Sequence, residues 1–299
     1  MSTTTASKPS TAPALGQPAY RDIAVAVMDM PADGAALAAA AALARNHGAE
    51  LDVLQVLPMP LPAVDAWALI PDPSLTERYS ELRAAAAKHT TELERRLPTL
   101  GVQGRVQVLE AFYESPTSVL AAAARRTDIS VLARPVNAPA STARVHAQFA
   151  GLLLESGRPV IVVPAELDTP CLPPRHVTIA WADTSESARA VHDALPLLRT
   201  AESVDVVMVD PVASQLEEAG AFGDTLAAHL KRHGVNTRLH VEKSRGRHVS
   251  RVILDRASRS RAHLIVAGGY GHSRLREWVV GGTTRALFHD SPVPLFFSH

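Results

Sequence analysis

Residues 266–287 read VAGGYGHSRLREWVVGGTTRAL and place glycines at 268, 269, 271, 281 and 282. A residue without a Cβ lets backbone N–H groups come close to an anion, so a glycine run of this kind suits phosphate binding. An apolar strand, Leu264–Ala267, runs into Gly268, and a helix is expected from Thr283 to His289. The first turn of that helix would offer unpaired N–H groups and the positive end of its dipole. Thr283 and Thr284 would add hydroxyl groups, and His272, Arg274 and Arg285 could approach the charge. No Gly-Lys-Ser/Thr follows, so this is not a Walker loop. The spacing, G-x-x-G and then nine residues before the next glycine, is not the dinucleotide fingerprint either. A tight strand-to-helix connection with no ligand accounts for the same glycines.

Other groups carry weaker chemistry. Asp183, in IAWADTSE, follows a strand and suits a ligand contact, activation of a water, or the N-cap of a helix from Ser185. His229 and His233 lie four apart on an expected helix, but no third ligand stands near and a solvated helix end is the simpler reading. The basic run KSRGRHVSR, 243–251, either reaches the same strand ends or forms a solvated loop. Trp67 and Trp181 read as packing residues. The chain has no G-x-S-x-G elbow, no Cys–His signature and no carboxylate pair at a telling spacing, so it makes no case for an efficient enzyme.

The elements that must position these residues alternate between strand and helix. In the first half strands are expected at 22–27, 50–57, 102–110, 129–133 and 159–163, with helices at 35–47, 75–97, 115–126 and 147–155. Gly48 should cap the first helix and Pro98 should stop the second. In the second half strands are expected at 177–181, 204–209, 237–242, 264–267 and 294–297, with helices at 185–198, 220–233, 248–258 and 283–289. Short β-branched strands alternating with helices imply an α/β fold with a parallel sheet covered on both faces.

The two halves also match each other. AAAARRTDISVLAR (121–134) lies over LDRASRSRAHLIVAG (254–268) at an offset of 134, and SGRPVIVVP (156–164) over HDSPVPLFF (289–297) at 133. The reading is one domain written twice: a tail over 1–20, a first unit over 21–166, a linker over 167–175 and a second unit over 176–299. At the offset of 134, Gly268, Gly271 and Gly281 fall on Arg134, Asn137 and Ala147. Those side chains, and Pro135, would spoil a phosphate cradle in the first unit, so a ligand is expected only in the second.

Composition narrows the classes. The 299 residues are 46% hydrophobic, and 30 basic residues balance 30 acidic ones. That balance gives no global attraction to nucleic acid or to an anionic membrane. No run approaches the ~20 apolar residues of a membrane span. The N-terminal MSTTTASKPSTAPALGQPAY has no apolar core of signal-peptide type and reads as disordered. A single cysteine, Cys171, forms no intrachain disulfide and suits a reducing, cytoplasmic setting.

Gly268-x-x-Gly271-x9-Gly281 after a strand, with the closing SPVPLFF, resembles the nucleotide-binding signature of the universal stress protein family. The resemblance covers both halves. It implies two tandem five-stranded parallel sheets of the adenine nucleotide alpha hydrolase-like, Rossmann-like type, related by a pseudo-twofold axis. ATP-binding members carry G-x-x-G-x9-G-S/T, and others bind no nucleotide and act through dimerisation. Carried over by position, the site would comprise Asp183, Val209, the strand end Ala267, Gly268, Gly271, His272 and Gly281. Gly282 stands where the family has Ser or Thr, with Thr283 and Thr284 just after it. The implied ligand is ATP or a related adenine nucleotide, with Mg²⁺. The implied role is a stress regulator with at most slow hydrolysis, with a protein partner or a homodimer open. The alternative is a ligand-free interaction module, in which strand 294–297 pairs with 160–163 inside one chain.

Overall fold

A computed structural model describes residues 19–61, 73–134, 139–167, 171–211, 225–270 and 282–299. The first half comprises β1 (Asp22–Val27), α1 (Asp33–His47), β2 (Glu50–Pro58), α2 (Pro73–Thr99), β3 (Gly104–Ala111), α3 (Pro116–Ala124), β4 (Ile129–Arg134), α4 (Pro139–Glu155) and β5 (Val160–Pro164). The second comprises β6 (His176–Trp181), α5 (Ser185–Asp193), α6 (Leu195–Leu198), β7 (Ser203–Val209), the helical run α7 (225–232), β8 (Thr237–Glu242), α8 (Val249–Arg259), β9 (Leu264–Gly268), α9 (Gly282–Asp290) and β10 (Leu295–Ser298).

The sequence pattern explains the layering. Along β1, Ile23, Val25 and Val27 point to one face of the sheet and Ala24 and Ala26 to the other, all of them buried. The first face is covered by α1, α2 and α5–α7, the second by α3, α4, α8 and α9. Alanines at 36, 40 and 44 line the buried side of α1 and let it lie close on the strands. Gly48 ends it in the left-handed region, at φ 63°, with its N–H donated to the Ala44 carbonyl. Tyr20, just before β1, is buried and donates its hydroxyl to the Asp193 carbonyl of α5 at 2.8 Å, tying the start of the first half to the second.

The ten strands form one sheet, in the order β3-β2-β1-β4-β5-β10-β9-β6-β7-β8. Pairing is parallel within each half, and β5 meets β10 antiparallel through Leu295↔Val162, Phe296↔Ile161 and Phe297↔Val160. The two expected sheets are therefore fused edge to edge. Phe149, Phe288, Phe296 and Phe297, fully buried, concentrate at this junction. Burying each side chain stabilises the fold by about 2–3 kcal/mol.

Some expected boundaries move. Helix α2 runs through Pro98 to Thr99, because a proline one residue from the end forfeits a single intrahelical bond. Helix α4 starts at Pro139, well before the expected Ala147, with proline in the first turn where its missing N–H costs nothing. The helix expected over 185–198 breaks at Ala194, and Pro196 sits in the first turn of α6.

The internal alignment also shifts. The Asp128 N–H bonds the Asp22 carbonyl as His263 bonds His176, and Ser130 bonds Pro159 as Ile265 bonds Pro294. Ser156 bonds the Leu152 carbonyl as Ser291 bonds Leu287. From Asp128 onward these pairs stand 135 residues apart, not the 134 or 133 that letter matching suggests, because similar letters do not report hydrogen-bond register. The counterpart of Gly268 is thus Ala133, and Arg134 answers to Gly269. Ala147 answers to Gly282 and not to Gly281. The Ile161–Phe296 pair is a residue facing its own counterpart, and it marks the pseudo-twofold axis.

Candidate functional site at the ends of β6 and β9

Strand β6 lies between β7 and β9, so the connections after β6 and β9 depart from neighbouring strand ends. In parallel α/β sheets such a switch point opens a crevice for ligands. The register sets Ala180 beside Ala267, so the chain leaving at Asp183 and the chain leaving at Gly268 emerge side by side. Asp183 is exposed, and it is not the helix cap. Thr184 takes that role, with its Oγ1 accepting the Ser187 N–H at 3.3 Å, because it has the extended backbone that a cap requires. Asp183 keeps its carboxylate for solvent or a ligand.

The same turn is built twice. The Ala182 N–H donates to Ser187 Oγ at 3.3 Å. In the first half the Met28 and Met30 N–H groups donate to Asp33 Oδ2 at 2.8 and 2.9 Å. Ser187 thus answers to Asp33, and Asp183 to Asp29. Burial pushes the Asp33 carboxyl above its ordinary range, against the pull of those two N–H bonds.

Gly268 has a packing reason of its own. A Cβ there would stand 2.7 Å from the Ser187 N and 2.8 Å from the Glu186 C, both backbone atoms of the first turn of α5. Ala267 is buried in the core, and Val209 is half-buried at the end of β7. The next residue, Asp210, is left-handed at φ 47°, and its Oδ1 accepts the Ser244 N–H at 3.0 Å. Hydrogen bonding from Ser244 holds that carboxyl below its usual range. The basic run is partly neutralised: Arg247 pairs with Asp255 at 2.7 Å, and Arg251 lies 3.8 Å from the same carboxylate.

On the glycine loop, Tyr270 is left-handed at φ 56°, and its N–H donates to Thr284 Oγ1 at 3.3 Å. Thr284 is buried, so its hydroxyl is committed to the loop. Thr283 and Gly282 are exposed on the first turn of α9, and a Cβ on Gly282 would meet nothing within 4 Å. Burial pushes the Tyr270 phenol up to about 12, and its hydroxyl has no hydrogen-bond partner. Gly271, His272, Arg274 and Gly281 lie outside the described residues.

The equivalent place in the first half differs. A cavity of ≈ 60 Å³ there is lined by Met28, Leu54, Val56, Leu120, Arg144 and Gln148, among others. Arg144 Nη2 donates to the Met28 carbonyl at 3.1 Å. Gln148 Oε1 is buried without a partner. At about 10–15 Å³ per water this space holds a few waters.

The histidine pair at the C-terminal end of α7 is not arranged for a metal. The two rings meet edge to face at 4.7 Å, and His233 Nδ1 faces the Arg199 guanidinium at 3.3 Å. Among the described residues no group of three His, Cys, Asp or Glu side chains could hold an ion. Sequence reasoning missed an ionic cluster under α8, built around the buried Asp205. Asp205 on β7, 2% exposed, meets Arg238 at 2.9 Å, His240 at 3.3 Å and Arg256 at 3.8 Å. The cross-strand pair Asp52–Arg105, at 2.7 Å, is its first-half equivalent. An Asp on the second strand and an Arg on the third, repeated in both halves, was the available clue.

Comparison with known proteins bears on the family and the fold. The profile described as the universal stress protein family (Usp) matches twice, over residues 19–164 and 173–298. A universal stress protein from Archaeoglobus fulgidus DSM 4304 superposes with a TM-score of 0.71 at 15% identity, over 92% of this chain and 95% of its own. A putative universal stress protein from Pseudomonas aeruginosa UCBPP-PA14 gives 0.60 at 16% identity, over 94% and 93%. No curated protein matches the chain. No helix among the described residues is long and apolar enough to cross a membrane. With two matched copies and one continuous sheet built from them, the chain belongs to the universal stress protein family as a tandem member.

Proposed function

We propose that this protein is a cytoplasmic stress regulator that binds ATP or another adenine nucleotide at the ends of β6 and β9 in its second half, with Mg²⁺ beside the phosphates. The observation that carries the reading is the first turn of α9, where Gly282 and Thr283 are exposed and unobstructed beside the switch point. Anions bind at such helix starts through free N–H groups and the dipole. Thr283 supplies the hydroxyl that Gly282 lacks, since Thr284 is already bonded to Tyr270. Asp183 faces solvent at the neighbouring strand end, placed to accept a sugar hydroxyl. Val209 offers backbone groups to the base. Nucleotide state would act by biasing conformation or partner binding. Calorimetry of the full chain against ATP with Mg²⁺ is the test: binding lost in Thr283→Val and Asp183→Ala supports the reading, and no heat at millimolar nucleotide overturns it.

The second reading, a ligand-free interaction module, is favoured by one observation. The β5–β10 pairing that it requires is present. It predicts that Thr283→Val and Asp183→Ala leave partner binding unchanged.

A further inference from the structure

Away from the crevice, α4 of the first half and α9 of the second meet along a seam of rings. His146 on α4 lies parallel to His289 on α9, with centroids 6.0 Å apart and planes 6° from parallel. The His146 ring also meets Phe288 edge-on at 5.0 Å and Phe149 at 6.0 Å. Its Nε2 is buried without a hydrogen-bond partner. The charged groups facing this pair, among the described residues, are Arg285 and Asp290 on α9 and Arg134 at the end of β4. Arg134 is buried and donates from Nη2 to the Ser291 carbonyl, just past the end of α9, at 2.8 Å.

A proton on either imidazole therefore enters a place that already holds two guanidiniums against one carboxylate. Two stacked imidazoliums would also repel each other. Burial, the partner imidazole and Arg285 hold His146 below the ordinary histidine range. Burial, Arg285 and Arg134 do the same for His289. Both rings are neutral above about pH 6.5, and the seam is closed there.

The seam also supports both ends of the glycine loop. Tyr270, entering it, lies 6.0 Å from Phe149, and Phe288, two turns along α9, lies 5.1 Å from the same ring. Thr284, leaving the loop, holds the Tyr270 N–H. We propose that the His146–His289 stack is an acid-sensitive latch between the halves, which parts α9 from α4 when protonated. Its consequence for ligands rests on the nucleotide reading above: a parted α9 slackens Gly282, Thr283 and Thr284, and nucleotide affinity falls with pH.

Hydrogen exchange of the full chain at about pH 7.5 and about pH 5.5, corrected for intrinsic rates, tests the latch. Protection of α9 relative to β1 should fall about tenfold on acidification, as one pH unit of differential protonation implies. His146→Phe keeps a ring against Phe288 and leaves only His289 to titrate, so the fall should shrink to about threefold. An unchanged α9 in the wild type, or the same fall in His146→Phe, overturns the proposal. His289→Gln serves in its place if that variant does not fold. ATP titrations at both pH values form a separate arm, in which His146→Phe corrects for protonation of the nucleotide itself. Weakening in the wild type greater than in His146→Phe supports control of the site, and equal weakening overturns it. ATP binding at neither pH overturns the nucleotide reading and the control of a ligand, while exchange still decides whether the latch exists.

Discussion

The ends of β4 and β9 are equivalent by hydrogen bonding but are finished differently. The first carries Ala133 and Arg134, the second Gly268 and Gly269. Gly268 is required because the first turn of α5 lies against it, and Gly269 lets the end of the Leu153 side chain of the first half come within 2.5 Å of where a Cβ would stand. Two glycines that read as a phosphate cradle are thus also explained by packing. The contrast that bears on a ligand lies further on, where Gly282 and Thr283 stand exposed and the equivalent Gln148 is buried. A glycine pattern marks where backbones come close, and only the neighbours tell whether the approaching partner is a helix or an anion.

Two experiments set the halves against each other, and two smaller effects sharpen the contrast. Asp205→Asn should be the most damaging, costing about 3 kcal/mol, because the carboxylate and the neighbouring Arg256 are both largely buried. Asp52→Asn removes the same cross-strand pair where Arg105 is largely solvated, and should cost under ~1 kcal/mol. Equal losses in urea unfolding would show that the second-half cluster is no more than its first-half relic. Next, Gly268→Ala should cost about 2–3 kcal/mol, since the atoms it meets are backbone and cannot swing away. Ala133→Gly should cost about 1 kcal/mol. If Gly268→Ala proves harmless to stability yet abolishes ligand binding, the packing explanation fails.

A smaller effect separates the two threonines. Thr284→Val leaves the Tyr270 N–H without its acceptor and should cost about 1 kcal/mol. Thr283→Val should leave the melting temperature unchanged while weakening nucleotide about tenfold, the loss of one hydrogen bond to a charged group. Last, His47, His146 and His289 all sit below the ordinary histidine range because burial disfavours their charged forms. Their unfolded forms bind protons first, so stability should be level above about pH 6.5 and decline below it. A melting temperature that rises from about pH 6.5 to about pH 5.5 would contradict this sign.

Much of the fold was legible because strand period and helix stops are local. DIAVAV, the alanines of α1 and Gly48 announce β1, α1 and the cap within a residue or two. The pairing of strand 294–297 with 160–163, expected under the ligand-free reading, is present. What escaped were quantities fixed by three-dimensional neighbours. The cap at Thr184 and not at Asp183 depends on backbone angles, and the one-residue correction of the internal alignment depends on hydrogen-bond register. The second purpose of Gly268 depends on how closely α5 lies on β9. The pair at Asp205 was written in both halves but becomes meaningful only when β7 and β8 are set side by side.

The axis through Ile161 and Phe296 has an evolutionary corollary. In an assembly of two identical chains, every residue beside a twofold axis faces its own copy, so each change there is made twice. Here Arg134 is balanced by Gly269, and Leu153 by Phe288, across that axis. A guanidinium on one side answered by bare backbone on the other is a solution closed to a symmetric pair. Two copies written into one chain leave it open, because each half can then change without the other.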